Sequence, residues 1–298
     1  MPQLKLTLKK SGWLFYAIIT TLFWGIWGAF IDFPQKAGFP ETLIYVVWSL
    51  TMIIPAVIAL KRIKWKLDRD FRSIVYGLMI GFTGAGGQLI LFTGAIAHGP
   101  AYLIFPIISL SPVITILLSV ILLKEKASAK GWIGIILAII AIPFLSYQSS
   151  GDSGSGTLWV IYSLLVFLAW GIQAYLMRFA NKTMKAESIF FYMMISGLLL
   201  SPVAIEMTNF STPVNWGLKG PYAAFVIQLL NSIGALTLVY AFRYGKAIIV
   251  SPLTNAAAPV ITVIISLIIF QVFPYYIILI GMLLAIIAMI ILALEGEK

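Results

Sequence analysis

Long apolar stretches alternate with short polar connections along this chain. Ten such stretches follow one another, and each is near the roughly 20 residues that a helix needs to cross about 30 Å of hydrocarbon. They lie near residues 12–31, 42–60, 72–95, 101–123, 130–147, 157–178, 187–206, 221–243, 247–270 and 274–294. Because little sequence remains between them, the pattern predicts an all-α integral membrane protein whose function lies within a helical bundle.

Composition agrees with a membrane location. The chain is 61% hydrophobic and 10% charged, whereas soluble domains are about 25% charged. The first stretch is longer than the apolar core of a cleaved signal peptide, about 7 to 15 residues, so we interpret it as a retained helix. The sequence contains no cysteine and no motif typical of hydrolytic or phosphate-binding chemistry. We therefore expect no cofactor, no metal and no enzymatic activity.

Lysine and arginine are distributed unequally between alternate connections. Of the 20 lysines and arginines, 18 lie in the terminal segments or in connections that follow even-numbered stretches, and the two exceptions are Lys36 and Lys219. The positive-inside rule then predicts that both termini are cytoplasmic, and we expect the chain in the cytoplasmic (inner) membrane. A surface that binds nucleic acid would not alternate in this way, so the net charge of +10 reflects topology and predicts no nucleic-acid partner.

The two halves of the chain resemble each other at an offset of 146 or 147 residues. The matched segments are Leu-Phe-Trp-Gly (22–25) with Leu-Ala-Trp-Gly (168–171), Pro-Val-Ile-Thr (112–115) with the same letters at 259–262, and Leu-Ala-Ile-Ile (137–140) with the same letters at 284–287. Matches at a nearly constant offset indicate an internal duplication.

Each repeat contains five stretches, which is an odd number, so the two repeats are predicted to have opposite orientations in the membrane. We place the first repeat at 12–147, an external polar linker at 148–156 and the second repeat at 157–294. Inverted repeats that exchange conformations open a central site to alternate sides of the membrane. The sequence therefore predicts a secondary transporter, with a non-transporting scaffold or receptor as the alternative.

A resemblance to a known family follows from these residues. With Trp-Gly in the first stretch and Pro-Val-Ile-Thr in the fourth stretch of each half, and Leu-Lys-Glu-Lys before Gly131, the chain resembles the paired EamA domains of the drug/metabolite transporter (DMT) superfamily. The resemblance implies ten helices in two inverted repeats around a central cavity, with the fifth and tenth helices peripheral. Many relatives export amino acids and other metabolites.

One acidic position differs between the two halves. Gln271 occupies the position that matches Glu125, so the role of this carboxylate is not duplicated. For Glu125 we favour a structural ion pair with Lys124, Lys126 or another cation of the cytoplasmic connections.

The centres of the ten stretches carry no charged residue, although such residues usually mark ion pathways and proton relays. A strongly anionic substrate would require a buried Arg or Lys. We therefore expect a small neutral, zwitterionic or amphipathic metabolite, amino-acid-like or related. The resemblance favours export, and uptake or exchange of a sugar or nucleoside is the alternative. Coupling to protons or to a counter-substrate stays open.

Polar and aromatic side chains within the apolar stretches are the candidates for substrate binding. Gln88 and Asn231 must point into protein or a wet cavity, because an amide in lipid would lose its hydrogen bonds. Trp27 and Gln173 occupy matched positions with different chemistry, which predicts a role in selectivity. The other candidates are Trp24, Trp170, Tyr175, Ser111, Thr115, Asn255, Trp48 and Tyr192. Helix packing or interhelical hydrogen bonding is the alternative for these side chains.

Several positions are predicted to bend or separate helices. Interior prolines free a carbonyl, here including those of Ile108 and Asn255, and supply hinges for gating unless the kink is satisfied locally. The predicted hinge residues are Pro106, Pro112, Pro252, Pro259 and Gly84.

Small residues recur in three stretches. Gly77, Gly81, Gly84 and Gln88 form one stripe on a helix, which predicts either close packing or a cavity wall. The small residues of the fifth and tenth stretches predict either a homodimer or packing within each half. They are Gly131, Gly134, Gly281 and Ala285.

Overall fold

Apolar helices make up nearly all of the structure. The computed structural model describes residues 2–31, 33–96, 104, 107–145, 158–270 and 275–296, and these residues contain no strand. They include seven helices that are long and apolar enough to cross a membrane, and three shorter apolar helices. The predicted all-α membrane fold is confirmed. Pro106, Asp32, His98, Gln271 and the predicted linker 148–156 lie outside the described residues.

We number the ten main helices in chain order. They are α1 (Pro2–Phe30), α2 (Glu41–Arg62), α3 (Phe71–Ile90), α4 (Pro112–Ile121), α5 (Ala129–Leu145), α6 (Leu158–Ala180), α7 (Ala186–Glu206), α8 (Ala223–Tyr244), α9 (Ala247–Phe270) and α10 (Tyr276–Gly296). Short π-helical segments follow α3 at Leu91–Ile96 and precede α8 at Leu218–Tyr222.

Prolines shape three of these helices in different ways. α2 is interrupted at Met52, shortly before Pro55, which has no N–H to continue the helical hydrogen bonding. α4 begins at Pro112, a position where the missing N–H costs nothing. Pro252 and Pro259 instead lie inside the continuous helix α9.

The prediction that Pro112 leaves the carbonyl of Ile108 without a hydrogen bond is wrong. The carbonyl of Ile108 accepts a hydrogen bond from the N–H of Ser111 at 3.0 Å. The chain turns at Leu110 and Ser111 before α4 starts, so Pro112 does not interrupt a helix and this carbonyl is satisfied locally.

The helices form two units, and each unit combines both halves of the chain. In unit A, α1 packs against α8 and α9, and α2 packs against α8. In unit B, α6 packs against α3 and α4, and α7 packs against α3. The contacts of unit B are those of unit A with each helix replaced by the corresponding helix of the other half of the chain. The units meet where α2 contacts α7 and where α4 contacts α9.

Matched hydrogen bonds repeat this symmetry at the level of atoms. The hydroxyl of Thr262 on α9 donates to the carbonyl of Gly25 on α1 at 2.9 Å. The hydroxyl of Thr115 on α4 donates to the carbonyl of Gly171 on α6 at 3.1 Å. Thr115 and Thr262 belong to the repeated Pro-Val-Ile-Thr segment, and both glycines belong to the repeated Trp-Gly. The sequence repeat thus corresponds to a repeated helix contact.

α5 and α10 pack against each other through small residues. A Cβ added at Gly134 would lie 2.9 Å from the side chain of Ile291, and one added at Gly281 would lie 2.8 Å from the side chain of Phe144. Since α5 and α10 belong to different halves, Gly134 and Gly281 serve packing between the halves, and for these two residues the prediction of packing within each half is wrong. Homodimerisation stays a prediction.

The connection between α2 and α3 is clasped onto the start of α7. The Asp68 carboxylate accepts hydrogen bonds from the backbone N–H of Lys185 at 2.7 Å and from its Nζ at 3.1 Å. A carboxylate is favoured there by the free N–H groups and the dipole of the helix N-terminus. We call this end of the bundle, which carries the α2–α3, α4–α5, α6–α7 and α8–α9 connections, the basic end.

The matching clasp at the opposite end is neutral. Asn215 lies 147 residues after Asp68, and its Nδ2 donates to the carbonyl of Ala37 at 2.7 Å. The charge pattern predicts that the basic end is cytoplasmic, so the charged clasp is on the side where cations are concentrated.

We predict that the Asp68 clasp depends on pH. Burial tends to raise the pKa of the Asp68 carboxyl, but hydrogen bonds from Lys185 and Ser188 together outweigh it and lower the pKa. A lowered pKa stabilises the fold above the ordinary value of 3.8, and this contribution is lost as pH falls through the folded-state pKa. Asp68→Asn should therefore lower the free energy of unfolding at pH 7 by up to about 1 kcal/mol, which is seen as a lower thermal midpoint.

The difference between wild type and Asp68→Asn should shrink as pH falls below 3.8 and disappear only once pH is below the lowered, folded-state pKa. Thermal unfolding in detergent from pH 8 down to well below 3.8 measures this, with Glu206→Gln, a change at an exposed carboxylate, as the control. A difference that is constant over this pH range would show that ionisation of Asp68 is not the cause.

Candidate functional site

Two tryptophans lie at the centre of the matched helix contacts. The indole Nε1 of Trp24 on α1 donates to the carbonyl of Asn231 on α8 at 3.3 Å, and that of Trp170 on α6 donates to the carbonyl of Gly84 on α3 at 3.4 Å. Each ring lies against a glycine of the facing helix. Both side chains therefore join helices within a unit, next to the residues that could contact a substrate.

A cluster of polar side chains lies in unit A, one turn along α1 from Trp24. The Nε1 of Trp27 donates to the Oε1 of Gln228 at 3.2 Å, and the Nδ2 of Asn231 lies 3.5 Å from the same oxygen. Gln228 is 2% exposed and Asn231 is 8% exposed. The structure thus brings together Trp27 and Asn231 of the predicted residues and adds Gln228. The spacing of three residues between Gln228 and Asn231 places both on one helix face. This spacing was the feature of the sequence that could have identified Gln228 as a candidate.

The matching place in unit B holds two further amides. Gln173 occupies the position that matches Trp27, and it lies so close to Gly84 that an added Cβ would overlap its amide. Gln88 lies one turn further along α3 and is 8% exposed. Neither side chain has a hydrogen-bond partner among the described residues. Gln173 is only half-buried. Because an amide group needs hydrogen-bond partners, these two groups favour a site that water or a ligand occupies.

The glycine stripe of α3 serves close packing over most of its length. A Cβ added at Gly77 would overlap Tyr192 on α7, and one added at Gly81 would overlap Ser196. The hydroxyl of Tyr192 donates to the carbonyl of Asp68 at 2.8 Å. Tyr192 therefore belongs to the clasp at the basic end and lies apart from the amides.

Other predicted residues lie at helix contacts or within single helices. Thr115 is fully buried between α4 and α6, and Ser111 precedes that contact with 5% exposure. Asn255 donates to the carbonyl of Ser251 at 2.9 Å within α9. The structure does not connect these side chains to the amide cluster.

Two predicted aromatic residues lie on different helices. Tyr175 stacks on Phe179, with ring centroids 6.2 Å apart, towards the basic end of α6. Trp48 on α2 is 8% exposed and packs beside Tyr45. Its indole N–H has no acceptor among the described residues, so it keeps an unused donor.

An ion pair of unit B is hydrogen-bonded to unit A at the basic end. The Nε of Arg178 donates to the Oε1 of Glu125 at 2.7 Å, and the two side chains are 21% and 7% exposed. The other carboxylate oxygen accepts the N–H of Ile248 at the start of α9 at 3.3 Å, and the Nη1 of Arg178 donates to the carbonyl of Phe242 near the end of α8 at 3.0 Å.

We call Glu125, Arg178 and the turn between α8 and α9 the latch. Of the cations expected as partners of Glu125, the structure selects Arg178, in place of the neighbouring Lys124 and Lys126. The pair comes from unit B and holds a turn of unit A. Separation of the units at the basic end therefore requires these hydrogen bonds to break.

Comparison with known proteins agrees with this architecture. The family model of the EamA-like transporter family matches residues 11–147 and again residues 157–294. Protein LicB of Haemophilus influenzae is 23% identical over 68% of this chain and 71% of its own length. An uncharacterized transporter of Archaeoglobus fulgidus is 26% identical over 46% of this chain and 48% of its own length.

Two further matches concern a short relative and the fold. An uncharacterized protein of Methanocaldococcus jannaschii is 32% identical over 35% of this chain and 76% of its own length. A solved crystal structure superposes with a TM-score of 0.78 at 15% identity, over 97% of this chain and 99% of the other, which shows the fold alone. The two matches of the family model span nearly the whole sequence, and the chain therefore belongs to the EamA-like transporter family, as a multi-pass membrane protein of the drug/metabolite transporter type.

Proposed function

We propose that this protein is a secondary transporter that moves a small neutral, zwitterionic or amphipathic metabolite, such as an amino-acid-like compound, by alternating access. The observation that carries the proposal is a group of amides beside the matched Trp24 and Trp170 contacts of the two units, three of them buried and one, Gln173, half-buried. These amides are Gln88, Gln173, Gln228 and Asn231. We propose export across the cytoplasmic membrane, with both termini cytoplasmic, on the basis of the family and the charge pattern.

The amides suit a substrate without strong net charge. An amide offers both donors and acceptors but no charge. The contacts that the structure describes for Gln228 and Gln173 are to Trp27, to Asn231 and to the backbone of Gly84. None of these groups neutralises an anion, and burial of an uncompensated charge costs several kcal/mol per ion, as an order of magnitude.

The two-unit architecture supports alternating access. Units A and B have the same helix contacts with the halves exchanged, so each conformation of one unit has a counterpart in the other. The latch joins the units at the basic end. Opening of the latch would expose the amides to the basic end, and closing of the latch would shield them from it.

Thermal unfolding of the purified protein tests the binding site. A panel of amino acids, nucleosides, sugars and cationic drugs is added in mild detergent. One class should raise the midpoint, since a ligand at 100 times its dissociation constant stabilises by about 2.7 kcal/mol. Gln88→Ala and Asn231→Ala should each abolish the shift, whereas Asn209→Ala, at an exposed amide of the α7–α8 connection, should keep it.

Counterflow of the stabilising compound in liposomes then tests transport, and an imposed pH gradient distinguishes proton coupling from exchange. A shift with sugars or nucleosides alone would favour the alternative substrates. Full shifts in both Gln88→Ala and Asn231→Ala would contradict the site. A protein that binds a compound but gives no counterflow would be a receptor or scaffold.

A further inference from the structure

We infer that Gln228 forms a hydrogen-bond-donor subsite that selects substrates bearing a carbonyl or carboxylate oxygen. The inference rests on the proposed function, because it assigns one end of the substrate to one place in the site. It concerns a residue that the sequence pattern did not single out, and it depends on the contact between α1 and α8.

The neighbouring indole fixes the orientation of the Gln228 amide. An indole N–H is a donor and never an acceptor. The amide atom that lies 3.2 Å from the Nε1 of Trp27 must therefore be the oxygen. Asn231 points its Nδ2 at the same oxygen from 3.5 Å, so two donors converge on it. The Nε2 of Gln228 is consequently held on the other side of the amide.

The Nε2 group is left with two unused donors. It has no acceptor among the described residues, although the side chain is only 2% exposed. A donor without an acceptor is unfavourable inside the protein, and an acceptor oxygen from a ligand removes that penalty. A carboxylate gives the stronger, charge-assisted bond. A zwitterion brings its own ammonium group, so the protein needs no buried counter-charge.

The subsite exists in only one of the two matched places. Counting back 147 residues, Gln228 corresponds to Gly81 and Asn231 to Gly84, while Trp27 corresponds to Gln173 at 146. Unit B therefore has glycines where unit A has the oriented amide. The donor subsite therefore sets the orientation of the bound substrate. Its acceptor end binds in unit A, and the rest of the substrate faces unit B.

Cysteine accessibility tests whether a ligand can reach this amide. The chain contains no cysteine, so Gln228→Cys introduces a single thiol. We expect a water-soluble methanethiosulfonate reagent to modify it in detergent. Two controls on the same helix should react slowly: Ala224→Cys, whose position is fully buried, and Val226→Cys, whose position is 62% exposed on the helix surface and covered by detergent. Equal rates at 228 and 224 would overturn the subsite, whether or not the protein transports.

Matched ligand pairs test the selectivity. Leucine and phenylalanine are compared with 3-methylbutylamine and 2-phenylethylamine, which lack the carboxylate. Wild type should bind the acids about tenfold or more tightly than the amines, as expected for a hydrogen bond to a charged group. Gln228→Glu, which replaces the donor by an acceptor, should lose the acids. Trp27→Phe keeps the ring but releases the amide, and should reduce the acid-to-amine ratio.

The outcomes separate this inference from the proposed function. Equal affinity of wild type for acids and amines, or an unchanged ratio in Gln228→Leu, would overturn the subsite while transport stands. Failure of all four probes to bind, with counterflow of another compound intact, would also overturn it. Absence of counterflow for every compound would overturn the proposed function itself.

Discussion

Arg178→Gln should lower the free energy of unfolding by about 3 kcal/mol, the lower end of the range for removal of one partner from a buried ion pair. The lower end applies because the Arg178 side chain is 21% exposed, whereas the side chain of its partner Glu125 is 7% exposed and would be left without its cation. The variant also loses the hydrogen bond to the carbonyl of Phe242. Reversible unfolding in mixed micelles measures the change.

The double variant distinguishes an unpaired charge from lost packing. Glu125→Gln combined with Arg178→Gln should be more stable than Arg178→Gln alone, because no buried charge is left without a partner. Lys182→Gln, at an exposed cation of the nearby α6–α7 connection, should stay within about 0.5 kcal/mol of wild type. The destabilisation of the double variant relative to wild type is compared with the sum of the destabilisations of the two single variants. If the two values are equal, the two side chains do not act as a pair.

Gly25→Val and Gly171→Val should each destabilise the protein by about 1 to 3 kcal/mol, as overpacked contacts do. A Cβ added at Gly25 would lie 2.5 Å from the Cβ of Ile261, and one added at Gly171 would lie 2.5 Å from the Cβ of Ile114. Both contacts also involve backbone, at 3.0 Å and 2.8 Å respectively, which relaxes less readily than a side chain. The two effects should be similar because the contacts are matched between the units.

Gly86→Val is the control, since nothing lies within 4 Å of a Cβ added there. It should change stability by less than about 1 kcal/mol, because valine is a slightly better helix former than glycine. Gly25→Val combined with Ile261→Ala should recover part of the loss. A Gly25 variant as stable as the Gly86 variant would show that α1 and α9 do not approach as closely as described.

The sequence allowed the helices to be located but not their neighbours. Helix length follows from the thickness of the bilayer, and duplication is visible as repeated letters. Pairing is different, because lipid and protein interior are equally apolar. Leu22 is 46% exposed and Ala17 is fully buried on the same helix, and composition does not separate them. The exchange of helices between the two units was consequently not predicted.

The same limitation applies to the candidate site. Gln88 and Asn231 were predicted because an amide stands out in an apolar stretch. Gln228 stands out equally, but its role depends on an indole 201 residues away. Likewise, sequence offered Glu125 several cations, and the choice of Arg178, 53 residues along the chain, follows from how α6 packs against α4. Pairwise chemistry of this kind becomes visible only once the helices are assembled.

The exchange of helices between units has a consequence for biosynthesis. The contact between Trp24 and Asn231 spans 207 residues, which a ribosome takes roughly 10 to 40 s to synthesise. Throughout that interval α1 is already made, while α8 and α9, against which it finally packs, do not yet exist. Unit A is thus completed late. The first helices are inserted into the membrane before the helices that they pack against have been synthesised. A nascent chain that stalls after its first half leaves α1 without its final neighbours, although half of the protein has been made.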